Sequence, residues 1–272
     1  MIIALFALPL LGLIYAYAIW YIPLIYVNFI IAGGFGFAVG WLINKFVITK
    51  GKVRNTKLAI LFGVLSGLIA LYFHWAVWMD LVLNAGESIG SERIGITVSN
   101  IKILQVFSLA TNPSALFELI GLVNETGTWG IRGGTVSGAF LSVIWIIELL
   151  IVVIVATLIP IGTAREPFCE IDNDWFTKTM LPAFNVVTDK SQMKTALENG
   201  QPNTFDGISK VENTDQHHSI FTLYSSEKGE NYLSIENKIA EQKDDGKIEF
   251  KDDQVIEHIS INKNLVDVLK GK

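Results

Sequence analysis

From Ile2 to Asn44 the sequence carries no charged side chain. A helix rises 1.5 Å per residue, so crossing a roughly 30 Å hydrocarbon core takes about 20 mostly apolar residues. The run is about twice that length and predicts two membrane-spanning helices. The break between them is expected at Trp20-Tyr21-Ile22-Pro23. Pro23 lacks an amide hydrogen and suits a turn or a first helical position, while Trp20 and Tyr21 suit the aromatic belt of a membrane interface. The predicted spans are Ile2–Trp20 and Leu24–Phe46, joined by a tight hairpin. The apolar start has neither a charged n-region nor a clear small-x-small cleavage site, so it reads as retained rather than as a cleaved signal.

Two further spans are predicted, Leu58–Met79 and Gly138–Ile161. The first ends at Trp75, Trp78 and Asp80, the second at Pro160 and Gly162. Between the second and third spans lie Lys45, Lys50, Lys52, Arg54 and Lys57, with no acid among them. Short loops rich in Lys and Arg stay on the cytoplasmic side. This loop is therefore expected inside, as are both termini, and the 20–23 turn and the 81–136 segment outside.

The outer segment is not a plain loop. Ile101–Ala110 is largely apolar, and Asn112-Pro113-Ser114 reads as a helix start leading into Ala115–Val123. The two pieces together are long enough for a fifth span, which would move the tail outside. The central Asn-Pro, with Lys102 and Glu118 near either end, instead favours a helix–break–helix that lies on the membrane or re-enters it. The Gly-rich stretch 127–134 then approaches the last span, with Trp129 expected at interface depth.

Lipid tails are as apolar as Leu, so helices in a bilayer associate through close backbone approach and hydrogen bonds. The second span offers Asn28, Ala32, Gly36, Gly40 and Asn44 at steps of four. The third offers Gly63, Gly67, Ala70 and His74 on a similar ridge. Both ridges are expected to face partner helices, with each other as the first candidate. Glu148 stands close to the middle of the last span, where an acid costs on the order of 2.5–3.5 kcal/mol before compensation. His74 is its expected partner. It lies roughly 7 Å outward of its span's centre and Glu148 roughly 3 Å outward of its own, within reach across adjacent helices. The pair reads either as an interhelical hydrogen bond or as a proton- or ion-responsive site, and the structural reading leads.

After Arg165 the composition changes. Through that residue there are nine Lys/Arg and six Asp/Glu; beyond it there are twelve and twenty, which makes the tail acidic. An acidic tail argues against nucleic acid as a partner and against docking to anionic lipid. The single cysteine, Cys169, excludes an intrachain disulfide framework. It reads as a buried small residue or, more weakly, a palmitoylation site. Trp175 is expected at the membrane interface. Lys190–Asn199 reads as a helix with Asp189 as its cap and Gly200 as its stop. Strands are predicted at His217–Ser225, Asn231–Glu241, Lys247–Phe250 and Gln254–Ile261. Turns are expected at Glu227-Lys228-Gly229-Glu230, Asp244-Asp245-Gly246 and Asp252-Asp253, and Asn262 caps a closing helix Lys263–Lys270.

The predicted fold is a membrane all-α bundle of four transmembrane helices with re-entrant or interfacial helices in 81–136. A small soluble α+β domain with an antiparallel meander follows, so the domains are 1–165 and 166–272. His217, His218, His258 and Cys169 do not form a ligand set, since neighbouring strand residues point to opposite faces. With no P-loop, GxSxG or HExxH, no catalytic residue, metal or cofactor is expected. The leading expectation is a non-enzymatic, multi-pass protein of the plasma or inner membrane whose cytoplasmic domain binds a partner or senses a ligand. Its partners would be the lipid bilayer and a protein partner or further copies of itself. The alternative is a small oligomeric proton- or ion-coupled transporter or channel using Glu148 and His74.

Overall fold

The computed structural model describes residues 2–22, 24–91, 94–127, 129–131, 134–201, 203–243 and 246–272, with backbone only at 2–5, 87–91, 94–97, 129–131 and 134. Pro23, Arg93, Arg132, Asp244, Asp245 and the Trp129 side chain lie outside the described residues. The chain divides into two compact units, Met1–Arg165 and Glu166–Lys272.

The first unit is built on helices α1 (Ile2–Tyr21), α2 (Ile25–Ile43), α3 (Thr56–Leu83) and α6 (Gly138–Arg165). A π-helical segment, Asn44–Thr49, continues α2. By length and composition Ile25–Thr49, Thr56–Leu83 and Gly138–Arg165 can each cross a bilayer, and Phe6–Tyr21 is a shorter apolar helix. Their outward side chains, such as Ile30, Phe37, Phe140 and Leu158, are apolar and exposed. Helices this long and this apolar on their outward faces are compatible with a membrane location.

The glycines of the two small-residue ridges do not face each other; both pairs face α6. A Cβ placed on Gly36 would sit 2.8 Å from the Val152 carbonyl oxygen, and one on Gly40 would sit 2.9 Å from that of Ala156. From the α3 side, Gly63 approaches the Cα of Thr157 and Gly67 that of Val153. The last helix is therefore seated against both ridges. It also runs through Pro160 to Arg165 instead of stopping at Ile161. Proline removes one intrahelical donor, the N–H that would serve Ala156. That same carbonyl lies against Gly40.

The 81–136 segment holds α4 (Ile103–Thr111) and α5 (Pro113–Thr126), whose axes are bent by 104° at Asn112. Asn112 caps α5 by accepting from the Ala115 N–H. The path of the pair follows from its ties. Lys102 N–H donates to the Asp80 carboxylate, and Tyr72 donates to the Ala110 carbonyl. Hence α4 descends antiparallel to α3 over eight residues, roughly 12 Å. Asn124, at the far end of α5, donates to the Gly138 carbonyl and to Ser142 at the start of α6. Trp75 packs edge-on against Trp145. This is the register in which Gly63 meets Thr157, and it sets Gly138 level with the C-terminal end of α3. The pair thus starts and ends at the same end of the bundle. Hairpins β1–β2 (Ala85–Ser91 and Ile94–Ser99) and β3–β4 (Trp129–Ile131 and Gly134–Val136) lie on its flanks in sequence.

In the second unit, a short hairpin, β5 (Phe168–Cys169) and β6 (Asp174–Trp175), precedes a four-stranded antiparallel sheet ordered β10-β9-β8-β7. Its strands are β7 (Thr177–Met180), β8 (His218–Ser225), β9 (Asn231–Gln242) and β10 (Ile248–Ile261). Helices α7 (Lys190–Glu198) and α8 (Lys263–Gly271) carry the expected caps, Asp189 and Asn262. Phe184, Phe221, Leu233 and Ile235 form one core with Leu265 and Leu269 of α8.

Two details differ from the sequence reading. The third and fourth expected strands are one strand, because Asp252 and Asp253 do not turn. They lie opposite Lys238 and Asn237, with the Lys238 ammonium 2.6 Å from Asp252 and that of Lys190 2.5 Å from Asp253. Partnered acids can stay extended, and the bend is taken up by bulges around Ile256, with His258 at φ 49°. The edge strand β7 carries no alternation of burial, all four residues being exposed, and so gives no period-two signal.

Candidate functional site

The four long helices meet around Tyr15. Its hydroxyl donates a hydrogen bond to the Glu148 carboxylate of α6. Its ring stacks nearly coplanar on Phe35 of α2 at 4.3 Å and lies tilted against His74 of α3 at 4.6 Å. Tyr15 is almost fully buried and Glu148 is partly buried. Gly12, three residues before Tyr15, lets α1 come this close. A Cβ there would lie 2.9 Å from both the Ala70 carbonyl oxygen and the His74 amide nitrogen.

Glu148 and His74 therefore share a neighbour and do not form the expected direct pair. Tyr15 supplies the donor expected of histidine, and the His74 Nδ1 is buried without a hydrogen-bond partner. The same holds for the side-chain oxygens of Asn28 and Asn44 on the α2 ridge. Sequence reasoning missed Tyr15 and Gly12. The available signal was a phenol inside a charge-free span, where a buried hydroxyl must find a partner. It also passed over Asp80, fully buried, which accepts from Asn84 and from the Lys102 N–H and so anchors the start of α4.

The remaining ridge residues, Ala32 and Ala70, are buried in the cluster that holds Tyr15. Trp20 packs partly buried against the cluster that holds Trp78, which is itself buried with Leu109 and Leu116 instead of facing outward. Tyr21 is exposed and stacks with Tyr17. Trp175 meets Phe168 edge-on across the β5–β6 hairpin. Cys169 is buried, its Sγ accepting from the Asp172 N–H.

The second unit carries an open groove of about 810 Å³ beside α7. Its lining carries one charged residue, Asp189, with Thr188, Ser191, Gln192, Thr195 and Asn203 exposed among apolar residues that include Val187, Met193 and Ile208. Asn185 shapes one wall by donating to the Gly207 carbonyl and accepting from the Ser209 N–H. Such a surface can hydrogen-bond an uncharged polar ligand or a polypeptide segment. Among the described residues no group of His, Cys, Asp and Glu is placed to hold a metal. His217 is exposed, and His218 is buried with its ring against Phe250. Family models, curated proteins and solved structures gave no match to this chain.

Proposed function

We propose that the chain is a four-span protein of the plasma or inner membrane, with α1, α2, α3 and α6 crossing and α4–α5 re-entering from the outer side. Both termini are then cytoplasmic. Its working part is the cytoplasmic α+β domain, residues 166–272, which binds a protein partner or a polar ligand without catalysing a reaction. The observation that carries this reading is the polar groove beside α7 in a unit with its own closed core. In support of an even number of spans, α4 and α5 start and end at one end of the bundle. The basic 45–57 loop supports placing its own side in the cytoplasm.

Two measurements test it. Reporters fused to either terminus should both read cytoplasmic; an outward C-terminus refutes the topology. The full chain in lipid nanodiscs should retain a partner or ligand that Thr195→Trp, which fills the groove, releases while the domain keeps its circular dichroism. Binding that ignores Thr195→Trp refutes the groove as the site.

A second reading, proton- or ion-coupled transport by an oligomer, is favoured by one observation: the unpartnered Nδ1 of His74 beside the Tyr15–Glu148 contact. Buried ionisable groups of this kind mark ion pathways in membranes. Flux in proteoliposomes that disappears in Glu148→Gln supports it; absence of flux in the native chain ends it.

A further inference from the structure

The most concentrated positive charge in the chain lies where α2 leaves its α-helical register. In the π-helical segment Asn44–Thr49 each turn closes five residues back instead of four. Residues five apart are thereby brought nearer to one face of the helix than α winding would bring them. Lys45 and Lys50 are such a pair, and both are exposed. The Lys50 ammonium lies 5.0 Å from the centroid of the Phe46 ring. That of Lys45 lies 5.8 Å from the same ring and 4.7 Å from Trp41. Neither forms an ion pair with a described acid. The chain then turns sharply, with Lys52 at φ 51° and the Val53 N–H donating to the Ile48 carbonyl, and this turn delivers Lys52 and Arg54 next.

An ammonium over an aromatic face keeps its other N–H donors free. Two of them gathered at one ring suit a phosphate group. The surface above them says which kind. Trp41, Phe37 and Ile30 are exposed in line with Lys45 along α2. Between Ile30 and Phe37 stand Gly33 and Gly34, around which a side chain would meet nothing within 4 Å. This leaves an apolar stripe with a shallow step. From Lys45 to Gly33 the stripe runs roughly 18 Å, about one leaflet of a bilayer.

We infer that the α2 turn binds the phosphodiester headgroup of an anionic phospholipid. Lys45 and Lys50 hold the phosphate, and one acyl chain lies along Trp41 and Phe37 toward Gly33 and Gly34. The inference rests on the membrane reading above, which places this turn at the cytoplasmic surface, where anionic lipid is concentrated.

The test uses the full chain reconstituted in nanodiscs of phosphatidylcholine with a minority of phosphatidylglycerol, with retained lipid counted by native mass spectrometry. Insertion is scored separately, by resistance to alkaline extraction. The native chain should retain phosphatidylglycerol over phosphatidylcholine by about 10- to 30-fold, the preference expected from two surface lysines. Lys45→Gln with Lys50→Gln should bring that ratio near one. Lys45→Arg with Lys50→Arg should keep it, and Gly34→Trp should lower retention without changing charge. Millimolar inorganic phosphate should displace nothing. Equal retention of the two lipids by an inserted native chain, or an unchanged ratio in the glutamine variant, overturns the lipid site alone. Displacement by phosphate assigns the turn to a soluble anion, and capture of an acidic peptide in place of lipid assigns it to protein; either overturns the proposal. A chain that alkaline extraction removes overturns the membrane reading with it.

Discussion

Adding a single methyl group at Gly63 should separate α3 from α6. The Cβ of Gly63→Ala would lie 2.6 Å from the backbone Cα of Thr157, where ordinary contact begins at 3.4 Å. The partner atom is backbone on a long helix, so no rotamer change relieves it and the helices must part by about 0.8 Å. A gap of that size forfeits a quarter to a half of each contact's attraction along the interface. Overpacking of this kind costs about 1–3 kcal/mol, and alanine's better helix propensity returns up to about 1 kcal/mol. The net expectation is a destabilisation of about 1–2 kcal/mol. Gly36→Ala and Gly40→Ala, at 2.8 and 2.9 Å from α6 carbonyl oxygens, should behave alike, and Gly67→Ala, at 3.3 Å, should cost less. Gly33→Ala and Gly34→Ala have open space and should be neutral or slightly stabilising. Unfolding in mixed micelles, followed by helical circular dichroism, measures the series. If Gly63→Ala and Gly33→Ala unfold together, α6 is not seated on these ridges.

Tyr15→Phe removes the donor to Glu148 and should destabilise the bundle by about 0.6–2 kcal/mol. In a double-mutant cycle, Tyr15→Phe should cost much less once Glu148→Leu is already in place. In the second unit, the hydrogen bond from the Lys190 ammonium holds Asp253 below the usual carboxylate range. A depressed acid contributes stability above its unfolded pKa, near 4, and loses it as pH falls through the lower folded value. Asp253→Asn should therefore weaken the domain at pH 7 and flatten its loss of stability below pH 4; unchanged pH dependence in thermal melts refutes the pairing. Cys169 should react with maleimide slowly in the folded chain and fast in denaturant. Gly229→Ala, whose Cβ would lie 2.5 Å from the sulfur, should speed the folded reaction.

Much of this fold is legible in one dimension because membrane crossing is a local property. A helix that must satisfy its backbone alone needs only length and apolarity, and Ile2–Asn44 displays both. Caps are equally local: Asp189, Asn262 and Asn112 each announce the helix that they start. The break at Asn112-Pro113 is visible too, since proline excludes its predecessor from the helix. The strands were less legible. Whether Asp252-Asp253 turns or stays extended depends on Lys238 and Lys190, which are distant in sequence.

The amino-acid order by itself determined that this chain has an apolar helical part and an acidic α+β part, and which helix faces carry small residues. It also determined that Glu148 needs a partner. Which surfaces meet was decided only by tertiary structure. Both glycine ridges turned to α6, and Tyr15 rather than His74 took the acid. Side-chain period and composition label a face, but they carry no information about what lies opposite. That is chosen by the joint packing of several helices, where Gly12 and Gly63 permit approaches that bulkier residues would forbid.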